Sequence, residues 1–238
     1  MNLLNELTVF VIDYGDNPNL PDVLESLKNQ TCKFKQDIVK NVCPMGAAFQ
    51  EMLNRCTTKY FIQLDSDMVL NDDAVEKLYY SILESDEKTA MISFMLLDVH
   101  LAMPIVGIKI YKHEIFKKYP YDVTHPSVEM NQLERVQKDG YKFESKRPIV
   151  AEHSPKWTNE LIFTRYYTLM ETYKLYKYGW VANLPKKLFI KVQENPNDWN
   201  IHALLGICAS LFNDEHSLKT RNYSETIKSF SNLKEFLK

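Results

Sequence analysis

The chain has 238 residues, 45% of them hydrophobic and 12% aromatic, enough for one sizeable domain or one domain with a small appendage, and this composition is that of a globular rather than a disordered chain. Against 31 acidic residues stand 29 basic ones, and the lysines are spread rather than clustered, so no field exists to hold a nucleic-acid backbone. The N-terminus lacks a basic segment followed by an apolar run, no stretch reaches the length of a membrane span, and Cys32, Cys43, Cys56 and Cys208 have no Cys-x-x-Cys spacing, so a soluble, cytoplasmic protein with free thiols is expected.

Leu7 to Ile12 is fully apolar and reads as the first strand of a parallel sheet, ending in the turn formers of Asp13 to Pro18. A helix begins near Pro21 and runs through Val23, Leu24 and Leu27. Asp37 to Val42 gives a short strand, and Gly46 to Arg55 a helix with Phe49, Met52 and Leu53 on one face. Tyr60 to Leu64 has the aromatic and β-branched content of a buried strand and stops at Asp65 and Asp67. Asn71 is a natural N-cap, with Asp72 and Asp73 in the first turn, for a helix through Val75, Leu78, Tyr79 and Ile82. This alternation predicts an α/β fold, a mostly parallel central sheet flanked by helices.

Further on, Ala90 to Leu97 and Ile105 to Tyr111 read as strands, and Lys112 to Tyr119 as one or two helical turns. A helix from about Ser127 to Asp139 ends at Gly140, followed by extended segments at Tyr141 to Phe143 and Ile149 to His153. From Trp157 the chain reads as helical, over Asn159 to Tyr178, Leu184 to Val192, Trp199 to Phe212 and Tyr223 to Leu237. There is no internal repeat.

The chemistry is concentrated at Asp65-Ser66-Asp67. In an extended segment, residues two apart point the same way, so Asp65 and Asp67 converge on one hard cation while Ser66 turns aside. A cation held by two carboxylates keeps open positions that suit a diphosphate. The competing reading is turn chemistry, with Asp65 in an Asx-turn and Asp67 a solvated loop residue.

Several stretches, in order, resemble the inverting family 2 glycosyltransferases of GT-A fold: Val11 to Pro18 with Leu24 to Thr31, Gly46-Ala-Ala-Phe-Gln50, and Leu64-Asp-Ser-Asp-Met-Val-Leu70. The likeness covers about Leu7 to His153 and implies a GT-A core over residues 1–155, with a nucleotide-binding part at 1–97 and an acceptor part at 98–155. Residues 156–238 would then be a helical extension packed on that core. The resemblance implies a nucleoside-diphosphate-sugar donor, UDP-sugar favoured, and a hydroxyl acceptor on a glycan or similar molecule. It also implies a manganese or magnesium ion on Asp65, Asp67 and His153, the last matching a histidine that completes the metal shell in similar enzymes. The catalytic base of the family is the second acid of a Glu-Asp pair opening a helix that ends in Gly-Tyr. Counting back from Gly140-Tyr141, that place falls on Glu129, where the sequence has Val-Glu. Against this stands the reading of Glu129 as a first-turn acid stabilised by the helix dipole, and Glu134 is the competing acid.

The family's Asp-Asp-Gly-Ser segment is missing between Lys35 and Pro44, which shifts base recognition to Asp13 and Tyr14, with Asp37. Gln50, Asp65 and Ser66 complete the expected nucleotide contacts. Trp157, Tyr166, Tyr167, Tyr173, Tyr176 and Trp180 offer either a sugar-stacking platform or a helix packed on the core or on a partner, which leaves an oligomer through the tail open. A nucleotidyltransferase would use a similar sheet and metal, but no Gly-rich basic loop follows the first strand. A catalytically inactive scaffold acting as a binding module is the non-enzymatic alternative.

Overall fold

The computed structural model describes residues 1–15, 17–125, 127–153, 156–176, 181–211 and 223. They fall in two compact units, Met1–Lys156 and Trp157–Lys238.

In the first unit the apolar run at the start becomes β1 (Leu7–Asp13), followed by α1 (Leu20–Lys28), β2 (Lys35–Lys40), α2 (Met45–Arg55) and β3 (Tyr60–Asp65). A three-residue strand β4 (Met68–Leu70) precedes α3 (Ala74–Leu83). The hairpin of β5 (Thr89–Asp98) and β6 (Met103–Lys112) comes next, then a single turn α4 (His113–Phe116), α5 (Val128–Lys138) and the long strand β7 (Lys142–His153). Gly140 ends α5 at φ +87°, a conformation that side chains with a Cβ adopt only under strain.

The seven strands form one sheet in the order β2-β1-β3-β6-β5-β7-β4. The expected parallel wall is confined to β2-β1-β3 and the β5-β7 pair, because β6 returns antiparallel between β3 and β5, and β4 runs antiparallel on the outer side of β7. Two expectations about local structure are corrected. Asn71 does not cap α3: its amide donates to Val150 O and its side chain to Ile149 O, and Asp73 precedes the helix. The two extended segments after Gly140 are one strand, carried across the polar stretch Glu144 to Pro148 by ladder contacts with β5 that shift register.

Both faces of the sheet are covered, which explains why β1 and β3 read as continuous apolar runs. Val9, Val11, Ile62, Leu64, Ile108 and Ile110 point to one face and pack with Val23 and Leu27 of α1 and with Val75, Leu78 and Ile82 of α3. Phe10, Phe61 and Tyr111 point to the other and pack with Phe49 and Met52 of α2, Phe116 of α4 and Val136 of α5. Phe61 and Tyr111 are register partners on β3 and β6, with stacked rings 4.7 Å apart.

The second unit has α6 (Asn159–Tyr176), a 3-10 turn (Val181–Asn183), α7 (Leu184–Glu194) and α8 (Asp198–Leu211). Its core is formed by buried Ile162, Phe163, Tyr166, Tyr167 and Met170 of α6 and Ile201, Leu205 and Ile207 of α8. The helix expected over Tyr223 to Leu237 lies outside the described residues apart from Tyr223. Among the described residues, no helix is long and apolar enough to cross a membrane.

Candidate active site

β1 and β3 are parallel neighbours with Ile12 opposite Asp65, so both strands end on one edge of the sheet, where loops are free to carry chemistry. A cleft of about 400 Å³ opens there, lined by Tyr14 and Asn17 after β1, by Val42, Cys43, Met45 and Ala48 around the start of α2, and by Asp65, Ser66 and Asp67. Ser66 is turned inward: its amide donates to Ile12 O at 3.0 Å, and its Oγ accepts from Asn17 Nδ2 at 3.1 Å. That tie joins the two loops and leaves the flanking carboxylates together. Burial and the adjacent Asp67 charge push the Asp65 carboxyl up to about 6, with Lys109 opposing the rise, Glu129 adding to it and His153 opposing it. Five ionisable side chains from β3, the loop after it, β6, α5 and β7 are thus in one electrostatic neighbourhood.

The pairing of β4 with the end of β7 brings His153 into that group, since Met68 lies opposite His153 in the ladder. The Nε2 atom of His153 is 3.5 Å from Asp67 Oδ2, and Nδ1 is 3.3 Å from Oδ2 of fully buried Asp98. Asp98 lies opposite His153 on β5 and also accepts the Leu101 amide through Oδ1 at 2.7 Å. A carboxylate on one ring nitrogen fixes the tautomer and turns the other nitrogen outward, the usual support for a metal-binding imidazole. Two carboxylates and such an imidazole are a donor set whose chemistry fits a manganese or magnesium ion. Among the described residues, no three His, Cys, Asp or Glu side chains are drawn in to coordinating distance.

Glu129 lies in the first turn of α5, half-buried, with Lys109 Nζ donating to its Oε1 and the Tyr111 hydroxyl donating to the same oxygen at 3.2 Å. Gly46 lets this turn approach α2: a Cβ there would lie 2.9 Å from Val128 Cγ2 and 3.3 Å from Val123 Cα. Glu134, the competing acid, faces solvent.

The remaining expected residues divide. Tyr14 is 68% exposed on the cleft wall. Asp13 is buried beside it, 3.9 Å from Lys40 Nζ, with no hydrogen bond to either carboxylate oxygen among the described residues. Asp37 and Gln50 are not among the lining residues. Asp37 lies opposite Phe10, three residues short of the end of β2; it accepts the Ile38 amide and faces Arg55 at 3.6 Å. Gln50 accepts the Tyr121 amide and donates to Asn54, bracing α2 against the loop before α5. In the tail, Tyr166 and Tyr167 are buried in the helical core and present no face to a sugar, whereas Trp180 and the side chain of Tyr176 lie outside the described residues. Sequence reasoning missed Asp98, Lys109, Tyr111 and Asn17. Lys109 had a signal, as the one charge inside the apolar run Ile105 to Tyr111; Asp98 had a weaker one, as a second acid at a strand end.

The family model described as Glycosyl transferase family 2 matches residues 2–101. A search among curated proteins gives no significant match. Among solved structures, the chain is similar to the mannosyltransferase PcManGT from Pyrobaculum calidifontis in complex with GDP-Man and Mn2+, at 12% identity and a TM-score of 0.55 over 87% of this chain and 74% of that one. It is also similar to glucosyl-3-phosphoglycerate synthase from Mycobacterium tuberculosis in complex with Mn2+, UDP and phosphoglyceric acid, at 13% identity and a TM-score of 0.50 over 66% of this chain and 73% of that one. The stretch 2–101, which carries the strand-end cleft and its paired carboxylates, thus matches the family 2 glycosyltransferases, and the fold is that of the GT-A enzymes.

Proposed function

We propose that this glycosyltransferase moves a sugar, with inversion, from a nucleoside-diphosphate sugar to a hydroxyl group on a glycan or similar acceptor. The observation that carries the reading is that Asp65 and Asp67 line the cleft at the ends of β1 and β3, with His153 3.5 Å from Asp67 and Glu129 within electrostatic reach of Asp65. Two of the solved structures similar to this one hold Mn2+ with GDP-Man or UDP, which supports the same donor class here. Asp65, Asp67 and His153 would hold a divalent ion, which when bound supplies positive charge to the departing diphosphate. Tyr14 offers an exposed ring to the base, with Asp13 beside it, and UDP is the first nucleotide to test.

Glu129 takes the proton of the acceptor hydroxyl as that oxygen forms its bond to the anomeric carbon and the bond from carbon to diphosphate oxygen breaks. The electron pair of the broken bond leaves with the nucleoside diphosphate, and attack from the opposite side inverts the centre.

Calorimetric titration of UDP and GDP, with and without Mn2+, tests the reading. Binding that appears only with Mn2+ in the natural chain and is lost in Asp67→Ala is expected. Glu129→Gln should leave that binding intact while turnover falls about 100-fold or more, the scale for removing a general base. Metal-independent binding, a preference for triphosphates, or full turnover in Glu129→Gln would each overturn it.

A further inference from the structure

Lys109 and Tyr111 stand two residues apart on β6 and so share one face of the sheet, where Lys109 lies opposite Gln63 and Tyr111 opposite Phe61. Asp65, two residues beyond Gln63, belongs to the same face. Lys109 is flanked along its strand by fully buried Ile108 and Ile110, and its own side chain is only 18% exposed. A lysine desolvated to that degree in the middle of a sheet requires a partner, and Glu129 is the one it meets.

The form of the contact matters more than its existence. Both donors, the ammonium of Lys109 and the hydroxyl of Tyr111, reach the same oxygen, Oε1. Among the described residues nothing bonds Oε2. A carboxylate gripped by one oxygen cannot rotate freely, and its other oxygen is left with its lone pairs available. Lys109 also brings a positive charge to the neighbourhood of three carboxylates, Asp65, Asp67 and Glu129.

We propose that Lys109 is the positioning residue of the base: with the Tyr111 hydroxyl it fixes Glu129 by Oε1 and reserves Oε2 for the proton of the acceptor. The assignment rests on Glu129 being the base. It differs from two simpler uses of the same lysine, as a tie that holds α5 on the sheet and as a direct contact to the donor diphosphate.

Turnover and binding separate these. The probes are UDP-glucose, UDP-galactose, UDP-N-acetylglucosamine and GDP-mannose with Mn2+, scored by release of nucleoside diphosphate to water or an added acceptor sugar, alongside calorimetric binding of UDP and GDP with Mn2+. With the donor that the natural chain turns over best, Lys109→Met should lower kcat about 100-fold, the loss expected for a displaced reacting group, while KM and nucleotide affinity stay within about threefold. Lys109→Arg, which keeps the charge and a donor, should recover to within about tenfold of the natural rate. Tyr111→Phe keeps the ring stacked on Phe61 and loses only the hydroxyl, so it should fold and lose about tenfold in kcat, the scale of one hydrogen bond to a charged group. The double variant Glu129→Gln with Lys109→Met should be no slower than Glu129→Gln alone, because a residue that acts through the base has nothing left to act on.

A Lys109→Met chain with natural kcat and a lowered melting temperature would leave only the tie. Nucleotide affinity weakened tenfold or more, or a double variant slower than Glu129→Gln, would make Lys109 a donor contact. If Lys109→Met does not fold, Tyr111→Phe decides: a natural kcat there overturns the assignment. A natural chain that neither binds UDP or GDP with Mn2+ nor turns over any probe overturns the functional reading first, and that result appears before any substitution is made.

Discussion

Asp98 is fully buried, and its two oxygens are used separately, Oδ1 on the Leu101 amide and Oδ2 toward Nδ1 of His153. The first contact is structural; the second aims a ring whose other nitrogen is directed at Asp67. Asp98→Asn retains an oxygen for Leu101 but removes the negative charge that steadies the imidazole. Affinity for UDP in the presence of Mn2+ should fall about 10- to 100-fold, the usual range for losing an outer support of a metal ligand. Calorimetry with and without Mn2+ checks this, and equal Mn2+-linked affinities in both chains would detach Asp98 from the site. Asp65, Asp67, His153 and Glu129 could be proposed from the sequence because each falls at a place that the family pattern marks. Asp98, Lys109 and Tyr111 are joined to that group by strand register, which a string of residues does not display.

At the level of elements, legibility follows burial. β1 and β3 lie inside the sheet with apolar layers on both faces, so composition alone marks them. β7 carries Glu144, Ser145, Lys146, Arg147 and Pro148 through its middle, and only its pairing with β5 makes it one strand. β4, at three residues, is too short to carry a period, although its pairing with β7 is what delivers His153 to Asp67. In the helical unit the informative residue is Gly206 on α8, where an added Cβ would lie 2.4 Å from the Phe163 carbonyl oxygen and 3.1 Å from the Tyr167 nitrogen of α6. Those are backbone atoms, which cannot rotate away, so the two helices would have to separate. Gly206→Ala gains up to about 1 kcal/mol in helix propensity. Overpacking a close helix contact costs about 1–3 kcal/mol, and with backbone as the obstacle the loss should prevail. Urea denaturation followed by circular dichroism should show a lower midpoint; a midpoint equal to or above that of the natural chain would mean that α6 and α8 yield at little cost.

On the scale of the molecule, charge decides how a donor can bind. With 29 basic and 31 acidic residues, the protein has no net field to draw in a diphosphate, and the groups acting on Asp65 are Asp67 and Glu129 on one side and Lys109 and His153 on the other. A diphosphate placed among them without a counter-ion meets repulsion from two or more carboxylates at short range, worth several kcal/mol in a partly desolvated cleft, where each pair at about 4 Å contributes up to about 4 kcal/mol. Nucleotide and divalent cation should therefore bind as a unit, and the unit should touch three segments that are distant in sequence and converge only in the fold: Ile12 to Asn17, Val42 to Ala48, and Asp65 to Asp67. Hydrogen exchange read by mass spectrometry should show slowed amide exchange in all three when UDP and Mn2+ are present together, and in none when either is added alone. Asp67→Ala should abolish the protection in all three at once, because under the proposed function the last of them would hold the ion on which the nucleotide depends. Protection of one segment alone, or protection by UDP without Mn2+, would mean that the ends of β1 and β3 do not work as one binding edge.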